Sequence, residues 1–315
     1  MNGANDMKGV QSGEEKKLST APQWNQWLLM AAGHEFDRAN EQIMKWLGDN
    51  AESSEERALL SLLAHKKATR DQVARGLIAC GANATAENHA SMTPLAILML
   101  AGVNDRDCVK TLLRHCDARK ADNVGTTPLM RAAGSGLAEC AALLIARSEV
   151  NALDANGWDA MRWAIWGNSM ECLELLLPFS NPRATDKEGN SLLSVMAIGR
   201  WIEGIRRILP LSDTASRNAR GLDAFDEAVS GMEHGIEGFA LDTAMLFAEC
   251  ADLLAPFVAV DRLRKAVPER LIDAMPVARA LIERADLSAA VRGLSAEKAQ
   301  TETAEGDTAK KARRI

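Results

Sequence analysis

Chemistry needs titratable or metal-ligating side chains at defined spacing, and a few residues of this chain come near such patterns. His34-Glu35 supplies the first half of the His-Glu-x-x-His zinc motif, but no second histidine follows and the pair reads as a turn between helices. Asp154-Ala155-Asn156-Gly157-Trp158-Asp159 begins like a calcium loop, yet no glutamate stands at the final ligand position, so it too reads as a turn. Cys108, Cys140 and Cys172 recur 32 residues apart. Packed helical units lie about 10 Å apart, too far for shared ligation at a bond length of about 2.3 Å, so these are expected to be small buried thiols filling one packing position. His89 and His115-Cys116 read as loop-end residues, and Asn83-Ala84-Thr85 is a formal glycosylation sequon without meaning in a cytosolic chain. There is no Walker loop, dinucleotide fingerprint or paired Cys-x-x-Cys. The expectation is no catalytic residue, no metal, no cofactor and no enzymatic activity.

Composition points the same way. The 315 residues, 34.0 kDa, are 47% apolar and 25% charged, which excludes wholesale disorder. Six Phe, seven Trp and no Tyr leave the apolar share to Ala, Leu, Ile and Met, a mixture that favours packed helices over sheet. No apolar run approaches the roughly 18 residues that span a bilayer. The opening, Met1 to Thr20, lacks the apolar core of a secretory signal. A cytoplasmic protein with no membrane partner and six reduced cysteines is therefore expected. A net charge of -6 argues against phosphate-driven nucleic-acid binding. The basic cluster Lys310-Lys311-Ala312-Arg313-Arg314 reads as a solubilising end after the acidic stretch Glu297 to Asp307, with an import signal as its alternative.

What positions the remaining side chains is a repeat. Gly125, Gly157, Gly189 and Gly221 lie 32 residues apart; Asp122, Asp154, Asp186 and Asn218 stand three residues before them, and Leu129, Met161, Leu193 and Phe225 four after. Asp or Asn followed by Gly is turn chemistry, with the Gly free to take positive φ. Thr127-Pro128 then reads as an N-cap with Pro at the first helical position. Leu129, Ala132 and Ala133 share one helix face, Gly134-Ser135-Gly136 stops that helix, and a second runs from about Leu137 to Ala146. Neither helix buries enough apolar surface alone, so neighbouring units must stack. Gly231 to Gly238 reads as a longer internal loop.

These residues resemble a known family. Thr127-Pro128-Leu129-Met130-Arg131-Ala132-Ala133, Gly136-Leu137-Ala138-Glu139 and Leu143-Leu144-Ile145 are similar to the ankyrin repeat, with Thr93-Pro94-Leu95 repeating the opening 34 residues earlier. Later units replace Thr-Pro-Leu with Asp159-Ala160-Met161, Ser191-Leu192-Leu193 and Asp223-Ala224-Phe225, keeping a capping residue and a core residue. The family's usual His is absent, its position holding Ala96, Met130, Arg162, Ser194 and Asp226. The resemblance implies an all-α ankyrin-repeat solenoid of stacked helix pairs with turn fingers, about six to seven units with helical caps. The expected organisation is a disordered arm over 1–20, an N-terminal cap over 21–54, the repeat array over 55–256, C-terminal capping helices over 257–294 and a disordered charged tail over 295–315.

For function, the resemblance implies a non-enzymatic module binding a protein partner, and acting as a monomer, on a concave face built from turn tips and first helices. Carried onto this chain, that face comprises His89, Met92, Asn123, Thr126, Arg131, Asn156, Trp158, Arg162, Trp163, Trp166, Lys187, Asn190 and Arg220. Trp158, Arg162, Trp163 and Trp166 fall within one unit and are of the types enriched at binding hot spots; Trp163 and Trp166 could equally pack between units. The alternatives are a host-directed effector or counter-defence protein that sequesters a partner, which leaves delivery to a host cell open, and an enzyme concealed in the helices after Leu254.

Overall fold

Every repeat position that the sequence marks as a cap accepts a backbone hydrogen bond in the computed structural model, which describes residues 23–64, 68–237, 241–267 and 269–288. The expected arm, the tail and its basic cluster lie outside the described residues. Among the described residues all regular elements are helical and no strand occurs. The chain divides into two compact units, Met1–Pro182 and Arg183–Ile315.

Unit 1 holds residues 23–32 (α1), Phe36–Asn50 (α2), Ser54–Ala64 (α3), Arg70–Ala79 (α4), Pro94–Leu100 (α5), Arg106–Leu112 (α6), Pro128–Gly134 (α7), Ala138–Ile145 (α8), Ala160–Trp166 (α9) and Met170–Leu176 (α10). Helices of seven residues are too short to persist alone in water, so capping and stacking hold them. The Thr93 hydroxyl accepts from Ala96 N at 3.4 Å, that of Thr127 from Met130 N at 3.3 Å, and the Asp159 carboxylate from Arg162 N at 2.9 Å. Pro94 and Pro128 occupy first-turn positions where no N–H is needed. Leu77, Leu95, Leu98, Leu112, Leu129, Leu144 and Leu176 form one continuous core with the buried thiols of Cys108, Cys140 and Cys172. At the start of the unit Trp24, Trp27 and Trp46 pack edge to face, with centroids 5.1, 5.1 and 5.7 Å apart. The Arg70 guanidinium donates to the carbonyls of Ala31 and Gly33 beside the end of α1 while lying over the Phe36 ring. Thr127→Ala is expected to cost about 1 kcal/mol, seen as a lower denaturant midpoint, with Thr127→Ser close to wild type.

Unit 2 holds Leu192–Ile198 (α11), Ile202–Ile208 (α12), Ala224–Glu237 (α13), Leu241–Leu254 (α14), Val260–Ala266 (α15) and residues 276–288 (α16). Ser191 caps α11 and Asp223 caps the start of α13. The loop expected over Gly231 to Gly238 is helical as far as Glu237, within α13, and Gly238 lies outside the described residues; a Cβ at Gly231 would overlap the Phe247 ring. That glycine serves close packing of α13 on α14 rather than a turn. The buried Asp252 carboxylate accepts from Val277 N at 3.2 Å and Ala278 N at 2.8 Å, so α14 caps the first turn of α16.

The turns carry the repeat's second device. Gly125, Gly157, Gly189 and Gly221 have φ of 80°, 80°, 79° and 76°. One oxygen of each preceding Asp or Asn accepts two backbone N–H groups, as Asp122 does from Val124 and Thr126 at 3.0 and 2.9 Å. Successive turns are joined without the family's histidine: within unit 1 Asn123 N donates to Ala90 O and Ala155 N to Val124 O, and within unit 2 Ala219 N donates to Glu188 O.

Candidate functional site

The turn residue's other polar atom reaches nine positions forward, into the first helix. Asp122 takes an ion pair from Arg131, Asp154 accepts from the Trp163 indole Nε1 at 3.1 Å, and Asn218 donates through Nδ2 to Glu227 at 2.7 Å. At the fourth such position stands Val195, and Asp186 instead accepts from Asn190 Nδ2 at 3.1 Å. This pairing decides which expected surface residues are free.

Three of them are not on the surface. Arg162 is 0% exposed, with its guanidinium 3.4 Å from the Asp159 carboxylate. Its counterparts Ala96, Met130 and Ser194 are buried as well and Asp226 is half-buried, so in unit 1 this register position faces the stack and not the solvent. Thr126, 2% exposed, is closed into its turn by mutual bonding with Asp122, and Asn190, 7% exposed, accepts from Asn218 Nδ2 at 2.9 Å. Arg131 is largely covered against Asp122.

The others reach solvent. In unit 1 His89, Asn123 and Asn156 are exposed and Met92 is half-buried; His89 lines an open cavity of ≈ 800 Å3 with Asn25, Leu29, Asn83 and Asn88. In unit 2 Lys187 and Arg220 are exposed, the latter paired with Glu227. Trp166, at the end of α9, is 70% exposed. The Trp158 ring lies beside it, centroids 5.9 Å apart and planes at 56°, and meets the Trp163 ring at 6.4 Å and 78°. Trp158 and Trp163 are half-buried. Trp163 is seated on Gly134, where a Cβ would come within 2.8 Å of its ring. Leu100 and Val124 add exposed apolar surface in the same unit. Leu100 holds the position in α5 that Trp166 holds in α9, which the repeat alignment could have revealed.

The cysteines of the repeat core are held as thiols. Burial, helped by Asp105, pushes the Cys108 thiol up to about 12 and that of Cys140 to about 11, while Cys172 is also raised by burial. Such thiols stay protonated at neutral pH and are poor nucleophiles. Among the described residues the six cysteines are free, no three His, Cys, Asp or Glu converge as a metal site, and no helix is long and apolar enough to cross a membrane. His34 and Glu35 form the turn between α1 and α2.

Helix pairs joined by Asx-Gly turns that bond to one another define a class of protein, the helical repeat scaffold. The family model for ankyrin repeats matches residues 60–154 and 98–188, so this segment of the chain carries ankyrin repeats. Among solved structures it is similar to the human ASB11 ankyrin repeat domain, with 20% identity and a TM-score of 0.54 over 74% of this chain and 98% of that one. At that identity the likeness concerns the fold alone. A comparison with curated proteins finds no match.

Proposed function

We propose that the chain is a non-enzymatic scaffold that holds a protein partner on the turn tips and first-helix ends of unit 1, with Trp166 and Trp158 as anchors. Ankyrin repeats are protein-interaction modules, and this reading places the interaction on particular side chains. The observation that carries it is the exposure of Trp166, 70%, beside a second indole on a rigid helix end. Leaving that much aromatic surface in water forgoes burial worth about 25 cal/mol per Å2, and large aromatic anchors ringed by polar groups are what binding hot spots consist of. Asn123, Asn156 and His89 supply the polar surround on unit 1, and Lys187 and Arg220 are surface contacts proposed for unit 2 by itself. In this reading residues 21–54 and 257–294 cap an array over 55–256.

The experiment is affinity capture from lysate of the source cells. A stoichiometric protein is expected with the wild-type chain and with Phe179→Ala, which alters an exposed residue at the end of a second helix. Trp158→Ala combined with Trp166→Ala is expected to reduce capture several hundredfold, since two hot-spot truncations at about 2 kcal/mol each multiply to that order. Undiminished capture by the double variant contradicts the assignment.

A further inference from the structure

We propose that Trp158, Trp163 and Trp166 form a site for an N-alkylated ammonium group, supplied by a trimethylated lysine of the partner protein. The proposal rests on the partner-face reading above and adds the chemistry that this face recognises.

Ring geometry comes first. The two indole pairs are inclined, at 56° and 78°, rather than stacked, and Trp166 keeps most of its surface open. A cation within about 6 Å of an indole centroid is attracted by the ring quadrupole, and tryptophan is the strongest aromatic partner. With centroids 5.9 and 6.4 Å apart, one cation can lie within that range of more than one ring.

Charge is the second and independent observation. Asp154, 6% exposed, is hydrogen-bonded to the Trp163 indole and to the Trp158 backbone, and among the described residues no ion pair is seen on it. The corresponding Asp122 is matched by Arg131. Where its neighbour turn is matched by an arginine, this turn sets a buried carboxylate against the Nε1 edge of the Trp163 ring. Its hydrogen bond from Trp163 Nε1 also pushes electron density into that indole and strengthens its hold on a cation. The arginine of the same helix, Arg162, is fully buried with its guanidinium near Asp159.

The third point sets which cation. Asp154 Oδ1 already accepts from the backbone N–H of Asn156 and Trp158 at 2.8 and 2.9 Å, and Oδ2 accepts from the indole. A primary ammonium would surrender its water hydrogen bonds and find no acceptor among the rings, a loss that burial does not repay. A trimethylated ammonium has no N–H to satisfy and needs only the π faces and the field of the carboxylate.

The test uses the full chain labelled with 15N, with indole N–H resonances followed during titration by tetramethylammonium, a trimethyl-lysine peptide, its unmethylated form, choline and the neutral isostere 3,3-dimethylbutanol. The Trp158 and Trp166 signals are expected to move with tetramethylammonium and with the trimethylated peptide, and not with the neutral isostere. The trimethylated peptide should bind about tenfold tighter than the unmethylated one, and Trp166→Ala should cost about tenfold, within the range for one desolvated cation–π contact. Asp154→Asn, which keeps the Oδ1 acceptor, should weaken the onium probes while the Trp24, Trp27 and Trp46 signals stay in place and report an intact fold. Equal response to the neutral isostere, or no response to tetramethylammonium, overturns the site. Tighter binding of choline than of the peptide overturns the lysine source. Loss of capture in the tryptophan double variant with no onium response leaves the partner face standing and removes this proposal alone.

Discussion

Gly167→Ala is expected to lower the thermal midpoint of the protein by about 5–10 °C, from a loss of about 2–3 kcal/mol. The glycine follows α9, and a Cβ there would overlap the backbone carbonyl of Gly134 at the end of α7. Its φ of -77° suits any residue, so the penalty is steric and not conformational. A backbone oxygen cannot rotate aside as a side chain can, so α7 and α9 must separate and Trp163 must leave its seat on Gly134. Gly48→Ala provides the opposite sign. That residue lies inside α2 with nothing near its would-be Cβ, so alanine gains about 0.5–1 kcal/mol of helix propensity. Equal midpoints for the two variants would show that the α7–α9 approach is not as tight as described.

Arg262→Ala should destabilise unit 2 by about 2–3 kcal/mol at neutral pH and much less in acid. The guanidinium holds Asp223 through two hydrogen bonds of 2.7 Å, pairs with Asp226 and lies over the Phe225 ring. Removing it strands a carboxylate that is 3% exposed, with the more exposed Arg217 as its remaining cation among the described residues. Burial alone would raise Asp223, but hydrogen bonds from Arg262 and the backbone, with the charges of Arg262 and Arg217, hold it below the ordinary carboxylate range. A carboxyl depressed in the folded state contributes stability above its unfolded pKa of about 3.9, and that contribution is lost as pH falls through the folded value. Denaturant titrations at pH 7 and pH 2.5 should therefore give a large difference between wild type and variant at the first and a small one at the second. A difference of the same size at both pH values would mean that Arg262 acts by packing and not by charge.

The turns were legible because turn chemistry is local: an Asx carboxylate, a left-handed glycine and an N-cap act within nine residues. Even there the sequence hides three sites, since Ser91, Asn168 and Arg200 adopt φ of 56°, 50° and 58° with no glycine at the position to announce it. Gly231 misled for the converse reason, as its role depends on Phe247 in another helix. At the candidate site Trp166 and Trp158 stood out by residue type. Arg162 was misplaced because its charge outweighed its register, although Ala96, Met130 and Ser194 in the same register already marked a buried position. Asp154 was read only as a turn. The nine-residue offset to Trp163, matched by Asp122 with Arg131, was the signal that gives it a second role.

Oxidative footprinting of the complex with its captured partner tests the central claim most directly. Trp166 should label strongly in the free chain and be protected at least about tenfold in the complex, as a desolvated anchor must be, while exposed Phe179 labels equally in both. Unchanged labelling of Trp166, with protection moved to Phe179 or elsewhere, would contradict the account.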